Sequence, residues 1–306
     1  MKLQDFATLD QKYGFDAIAA DKELAQDIQK VLISLKFLEP PADGSFGPLS
    51  TDALIEFEET FNCPEKNFLG KEAASKLLQT SPNDLPQPKL NLSNDLASSI
   101  IKYMQSKGYR IATEANKYNI VYVEGLDPDG KLNNDAPNCF NDLRMILEII
   151  DGKPIIRGKW EGTTEPGAYY TENPMSSSGG GAARIAFGQY KSWQVGIHHG
   201  SGSDPHEALV QVQPITVYRD KNKDSIRSGD KTETGKFEID QHWGFDYRRN
   251  DISYASAGCL VGRTRAGHKE FMQILKQDKR YLRNNKYTFQ TTIIPGDELR
   301  KLFQWE

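Results

Sequence analysis

Phe237-Glu238-Ile239-Asp240-Gln241-His242-Trp243-Gly244 and, after a polar loop, Ser256-Ala257-Gly258-Cys259-Leu260-Val261 are the two runs that decide how the chain is read. The first reads as a strand that ends in a histidine, the second as a Gly-Cys turn feeding an apolar pair. His242 precedes Cys259 by 17 residues. The thiolate is the reactive form of cysteine, and an ordinary thiol is mostly protonated at neutral pH, so a nucleophilic cysteine needs a base or a positive neighbour. His242 supplies that base if the strand end and the turn meet. Gly258 lets the backbone turn sharply, and the amides around Cys259 are candidates to stabilise an oxyanion. Ser256 is expected to bond the turn or a substrate carbonyl. Gly244 is expected to bring a backbone carbonyl to the imidazole and fix its tautomer.

Working outward, the surrounding texture is that of short strands separated by turns. Ile120–Val123, Met145–Ile150, Ala183–Phe187, Ala208–Val212, Ile215–Tyr218 and Tyr287–Phe289 carry it. A helix capped by Ser93 and ending at Gly108 precedes them, and another lies near Lys269 to Leu275. The N-terminal part reads differently. Leu24, Ile28, Val31, Leu32 and Leu35 are spaced as the inner face of a helix over 22–38. Breakers at Pro40–Pro48 end it. A second helix, capped by Ser50 or Thr51, carries Ala53, Leu54, Phe57 and Phe61, and a third spans Lys71 to Leu78. Between the two textures Ser81-Pro82-Asn83-Asp84-Leu85-Pro86-Gln87-Pro88 reads as a stiff, extended linker. The expected fold is therefore α+β: a three-helix domain over 1–80, a linker over 81–92, and a larger β-rich, sandwich-like domain over 93–306.

The 306 residues carry a net charge of -4, which argues against a general nucleic-acid binder. Three cysteines, Cys63, Cys139 and Cys259, do not make a disulfide framework. No run approaches the ~18 apolar residues of a membrane span, and Met1–Phe6 lacks the pattern of a secretory signal.

Asp43-Gly44-Ser45-Phe46-Gly47-Pro48 followed by Thr51-Asp52-Ala53-Leu54-Ile55-Glu56-Phe57 resembles the peptidoglycan-binding module of cell-wall enzymes over residues 20 to 80. The pattern has a physical basis: glycines for a tight turn, Phe46 to plug a small core, and Pro48 to start the next helix. The resemblance implies a module that holds an enzyme at the wall and raises local substrate concentration. His242-Trp243-Gly244 and Ser256-Ala257-Gly258-Cys259 resemble the L,D-transpeptidase catalytic domain, whose pattern is a His followed closely by Gly, a loop, then Ser/Thr-x-Gly-Cys. That resemblance is strong over 236–262. It implies Cys259 as nucleophile, His242 as base, Ser256 and Gly258 completing the loop, and attack on a peptidoglycan stem peptide through an acyl-cysteine. The chain departs from the family in having Ala257 where His is usual and Val261 where Arg is frequent. Its glycine also follows His242 by two residues rather than one. Arg263 is the nearest substitute for holding a substrate carboxylate. These departures bear on which acyl donor and acceptor are used.

His198-His199-Gly200-Ser201-Gly202-Ser203-Asp204-Pro205-His206 is the other conspicuous run. Gly, Ser and Pro make it a loop, and His198 and His199 are expected to line the substrate site. The rival is a zinc-dependent peptidase using His198, His199 and His206. Asp220–Asp224 has the oxygen spacing of a calcium loop, but Ser225 and Lys231 occupy positions that need Gly and Glu, so a polar turn is expected. Asp127–Gly130 is a turn, and His268 a surface residue. Ser176–Gly181 lacks the Lys-Ser/Thr of a phosphate loop. The reading is a cysteine enzyme of the cell wall, with no metal or cofactor, no nucleic-acid partner and no membrane segment. It is expected to be made in the cytoplasm, delivered by a secretion or injection apparatus or as a phage-type lysin, and lytic in action. The alternative is an inactive wall-binding protein.

Overall fold

The computed structural model describes residues 1–85, 89–175, 180–199 and 204–305, and the chain divides into two compact units, Met1–Pro88 and Lys89–Glu306. Part of the linker (86–88), part of the Ser176–Gly181 run (176–179), and Gly200–Ser203 of the histidine run lie outside the described residues.

The first unit contains α1 (Leu3–Phe6), β1 (Tyr13–Gly14), α2 (Phe15–Ala20), α3 (Lys22–Ser34), α4 (Pro48–Thr60), β2 (Phe68–Leu69) and α5 (Lys71–Gln79). The three expected helices pack around Leu24, Ile28, Leu32, Ala53, Leu54, Phe57, Ala73, Ala74 and Leu77. The short antiparallel ladder β1–β2 joins the two ends of the unit. Helix α4 starts earlier than expected. Gly47 is its N-cap residue and Pro48 opens it, so neither Ser50 nor Thr51 caps it; proline at the first helical position loses no hydrogen bond. The preceding turn is stapled by one buried side chain. Gln29 Oε1 accepts the Gly44 N–H at 2.7 Å, and its amide nitrogen faces Asp43 Oδ1, the Ser45 carbonyl and Ser50 Oγ, each at 3.1 Å. Gly44 sits at φ +78°, and a Cβ there would meet Lys22 at 2.6 Å. Phe46 is buried and stacks toward Phe15. The linker begins as a single 3-10 turn, Pro82–Asp84, rather than an extended chain, because the Ser81 amide and hydroxyl both donate to Asp84.

The second unit contains α6 (Leu96–Ser106), β3 (Tyr118–Glu124), β4 (Asp142–Ile150), β5 (Lys153–Thr163), α7 (Ala168–Glu172), β6 (Ala182–Ile185), β7 (Gly188–His198) and β8 (His206–Gln211). It continues with β9 (Ile215–Asp220), β10 (Lys231–Gly235), β11 (Gln241–Trp243), β12 (Leu260–Gly262), α8 (Arg265–Leu275), α9 (Lys279–Arg283), β13 (Phe289–Pro295) and α10 (Gly296–Leu302). The fold is α+β with a β-rich domain, as expected. The sandwich-like part takes the form of a closed barrel, ordered β11-β12-β5-β4-β3-β13-β7-β8, beside a three-stranded sheet β10-β9-β6. Two barrel pairs are parallel, β11–β12 and β13–β3.

Strand alternation explains the packing. Ile120 and Tyr122 of β3 face one way, joining Ile146, Trp193, Leu209, Leu260 and Phe289, with Phe271, Met272 and Leu275 of α8. Val121 and Val123 face the other way, under α6 and α10 with Leu143, Met145, Ile294 and Trp305. Helix α6 is capped by Asp95, whose carboxylate accepts the Ser98 N–H at 2.7 Å, and the Ser93 hydroxyl bonds to Asp95 rather than capping the helix itself. The expected last strand begins only at Phe289 and runs on to Pro295. Asp127–Gly130 closes as a turn, with the Gly130 N–H on the Asp127 carbonyl at 2.8 Å. Asp220 accepts the N–H groups of Asp224 and Ser225, which makes that run a polar turn.

His268 is not a surface residue. It is 1% exposed, donates from Nε2 to the Glu207 carbonyl at 2.8 Å, and accepts from Arg144 Nη1 at 3.1 Å. Arg144 is itself fully buried, with its guanidinium 3.4 Å from the Phe271 ring centre. Delocalised charge on an aromatic face tolerates burial better than an ammonium would. Position at a helix start carries no signal of burial, which is why His268 reads as exposed from its local sequence.

Candidate active site

β11 and β12 bring the two opening runs together. They pair in parallel with Gln241 beside Leu260, His242 beside Val261, and Trp243 beside Gly262. One step earlier, the Leu260 N–H donates to the Asp240 carbonyl at 2.9 Å, which sets Asp240 beside Cys259. Side chains alternate along a strand, so Asp240, His242, Cys259 and Val261 share one face. The diagonal from Cys259 to His242 spans about 8 Å between Cα positions by ladder spacing, within the combined reach of the two side chains.

The turn before the cysteine is built as the sequence implied. Gly258 lies at φ +131°, and a Cβ there would stand 2.5 Å from the Ala183 carbonyl oxygen. Ser256, 1% exposed, holds the turn from inside: its hydroxyl donates to the Cys259 carbonyl at 2.9 Å and accepts the Gly258 N–H at 3.1 Å. Ser256 therefore bonds the turn rather than standing free for a substrate carbonyl, and the Gly258 amide is engaged by it. Gly244 is required by close packing, since a Cβ would meet Phe140 at 2.8 Å and the Arg263 carbonyl at 2.9 Å. The carbonyl that holds the imidazole is Trp243's, one residue before the glycine for which that role was expected. His242 Nδ1–H donates to it at 2.8 Å, which leaves Nε2 with its lone pair.

Cys259 is buried, and its Sγ contacts the Glu238 carbonyl at 3.7 Å. Burial first, then the charge of Asp240, pushes the thiol up to about 12, against an Asp240 N–H that favours the thiolate. Burial, and next the neighbouring His198, hold the His242 imidazole well below its ordinary range. The resting site therefore holds a thiol and a neutral imidazole, not an ion pair. All three cysteines are free thiols.

Sequence reading missed how the remaining histidines gather. His198 lies flat on His242, with ring centres 4.0 Å apart and planes 7° apart. Its Nδ1–H donates to Asp240 Oδ2 at 2.8 Å, while Asp240 Oδ1 accepts the Gln211 N–H at 2.9 Å. Two positive rings at that distance would repel by roughly 4 kcal/mol at an effective dielectric near 20. His206 stacks on Trp243 at 3.7 Å and donates from Nδ1 to the Asp204 carbonyl at 2.8 Å. His199 is exposed at the end of β7. Of the three histidines of the zinc reading, His206 Nε2 accepts the Trp243 N–H at 3.4 Å, and the His198 and His206 ring centres stand 5.4 Å apart. No group of three or more His, Cys, Asp or Glu among the described residues is placed to hold a metal ion.

Arg263 is already partnered, by the Glu161 carboxylate and by the Tyr247 carbonyl at 3.2 Å; holding a substrate carboxylate would require exchanging those partners. Beneath the cysteine turn lies a buried charge cluster that sequence reading did not identify. Arg227 grips Glu124 (Nη2 to Oε2 2.6 Å), and Arg184 bridges Glu165 at 2.9 Å and Glu124 at 3.3 Å. The Thr164 hydroxyl stands 2.6 Å from Glu124 and 2.9 Å from Asp142. Asp142 also accepts the Gly125 N–H at 2.9 Å and the Thr164 N–H at 2.7 Å. Burial, then the charge of Glu124, pushes its carboxyl up to about 8. The cluster anchors the segment whose Gly167 N–H donates to the Ser256 carbonyl at 2.9 Å.

No protein-family model matches the chain, and no curated protein matches it. Among solved structures, a fused Zn-dependent amidase/peptidase/peptidoglycan-binding domain-containing protein from Clostridium acetobutylicum is 11% identical, with 93% of this chain and 100% of that chain covered and a TM-score of 0.29. An L,D-transpeptidase from Xylanimonas cellulosilytica is 13% identical, with 88% of this chain and 92% of that chain covered and a TM-score of 0.23. Likeness at these scores carries no argument about fold or chemistry.

Proposed function

We propose that this chain is a peptidoglycan-acting cysteine enzyme that attacks a stem-peptide bond and passes through an acyl-cysteine. The observation that supports the reading is the parallel pairing of β11 with β12, which puts Cys259, the residue just before β12, on the His242 face, with the His242 Nδ1–H held by the Trp243 carbonyl so that Nε2 is the basic nitrogen. A buried thiol and a neutral base suit concerted transfer, in which the proton leaves sulfur as the S–C bond forms, so that free thiolate never accumulates. Peptidoglycan as substrate rests on the Asp43–Pro48 turn and its resemblance to a wall-binding module, together with the resemblance around His242 and Cys259. Water as the acceptor gives hydrolysis and a lytic enzyme, and an amine gives a cross-link.

The test is digestion of purified peptidoglycan by wild type and by Cys259→Ala, with products identified by mass. Loss of all new products in Cys259→Ala is expected, and the mass change distinguishes hydrolysis from exchange. Products persisting in Cys259→Ala would remove the cysteine from the mechanism. The burial of the thiol favours the second reading, a wall-binding protein with an inert cysteine. That reading stands if wild type binds peptidoglycan and releases nothing.

A further inference from the structure

The proposed chemistry has two proton transfers, one for each half of the reaction, and the site has two stacked imidazoles that differ in their surroundings. His242 is the inner ring, 2% exposed, tied to a carbonyl of its own strand. His198 is the outer ring. Its side chain keeps 13% of its surface open, and it is tied to a carboxylate. That carboxylate belongs to Asp240, whose backbone stands beside Cys259 and whose N–H faces the sulfur. Asp240 therefore links the outer histidine to the nucleophile by one residue.

We infer that His198, oriented by Asp240, is the acid–base group of the second half-reaction, taking the proton of the acceptor that resolves the acyl-cysteine. A carboxylate on Nδ1–H fixes the tautomer, leaves Nε2 as the acceptor of a proton, and stabilises the cation that results. This division of labour rests on the acyl-cysteine reading above. In the first half, the Cys259 sulfur bonds to the acyl carbon, the carbon–nitrogen bond breaks, and the thiol proton passes through His242 Nε2 to the departing nitrogen. In the second half, the acceptor's oxygen or nitrogen bonds to the acyl carbon, and its proton goes to His198 Nε2. The sulfur–carbon bond breaks, and that proton returns to the sulfur. No electrons are gained or lost. Repulsion between two positive rings favours this order, with His242 delivering its proton before His198 accepts the next.

A nitrophenyl acetate ester, which acylates thiols without any wall component, separates the two halves. Burst release of nitrophenolate reads acylation, the slow phase reads deacylation, and intact mass reads the acetyl adduct; Cys259→Ala sets the background from Cys63 and Cys139. His198→Phe keeps a ring on His242 and removes the nitrogens. It should retain the burst, accumulate the acetyl adduct, and lose about 100-fold in the slow phase, the usual worth of a positioned acid–base group. Asp240→Asn keeps an acceptor for Nδ1–H without the charge, and should lose about tenfold in the slow phase. His242→Phe should abolish the burst. Wild-type melting of each variant, followed by tryptophan fluorescence, shows that the fold is intact. An unchanged slow phase in His198→Phe, or a lost burst with no adduct, overturns the inference. A wild-type burst equal to that of Cys259→Ala overturns the acyl-cysteine reading itself, and peptidoglycan digestion unaffected by Cys259→Ala does so independently of His198.

Discussion

Gly258→Ala tests the cysteine turn most directly. Two costs meet at this position. The backbone lies at φ +131°, a region that alanine occupies only under strain, worth about 1–3 kcal/mol. The new Cβ would stand 2.5 Å from the Ala183 carbonyl oxygen and 3.2 Å from its Cβ. That neighbour is backbone in a three-stranded sheet and gives way poorly, so overpacking adds about 1–3 kcal/mol. A total near 4 kcal/mol is expected. For a unit of this size each kcal/mol is worth roughly 2–4 °C of melting temperature, so the loss should be about 10 °C. All four tryptophans, Trp160, Trp193, Trp243 and Trp305, lie in the second unit, so tryptophan fluorescence melts follow that unit and not the N-terminal one. Gly108→Ala is the control, since Gly108 also has positive φ (+63°) but nothing within 4 Å of its Cβ position; it should lose only about 1 kcal/mol. If Gly258→Ala melts with wild type, or no lower than Gly108→Ala, the close approach of the turn to Ala183 is wrong, and with it the placement of Cys259.

Ser256→Ala strips the Cys259 carbonyl and the Gly258 amide of a buried partner, and should cost about 1–3 kcal/mol by urea unfolding; a neutral result would show that water replaces the hydroxyl. Cys259, pushed up to about 12, should alkylate at pH 7 more slowly than a small free thiol, with a rate still climbing above pH 10 by peptide-mapped iodoacetamide labelling; a plateau near pH 7 would contradict the neutral resting state. Asp142, raised from 3.8 to about 8, keeps a proton that the unfolded chain releases, so its contribution to stability falls as pH rises from about 4 to 8. Glu124, lowered to about 2, acts oppositely: its contribution is present above 4.5 and lost as pH falls toward 2. Urea unfolding at pH 6 and pH 9 should therefore show wild type weaker at pH 9, with a smaller difference in Asp142→Asn. Equal differences in the two proteins would remove Asp142 from this role.

The parts legible in the sequence are those where one side chain does one job. Leu24, Ile28 and Leu32 mark α3, and Ile120 to Val123 mark a strand buried on both faces. β5 and β7 escaped notice because each alternates packing residues with charges and glycines. In β5, for example, Gly158 makes room for the Trp160 ring, which would lie 2.3 Å from a Cβ. Barrel closure was hidden because it depends on a single bridge, Gln241 to Leu209, between segments that each look unremarkable. At the site, Cys259 and His242 were legible from a turn signal and a nearby strand end. The pairing of His198 with Asp240 was not, since the partners lie in two runs 42 residues apart and nothing local to either run couples it to the other. The same holds for Glu124, Asp142, Glu165 and Arg184: charges are expected outside, and only their mutual pairing lets them stay inside.

The two strands that carry His242 and Cys259 run in the same direction, so the intervening chain must travel back along the barrel before the second strand begins. That return path is exposed from Asp246 to Asn250, while the ladder fixes both ends independently of its length. Doubling such a path costs only about 0.6 kcal/mol of closure entropy. The exposed stretch can therefore be lengthened without altering the strand register that sets Cys259 beside the His242 strand, while Ile252 and Ala255, which pack with Cys259, tie down the rest of the path.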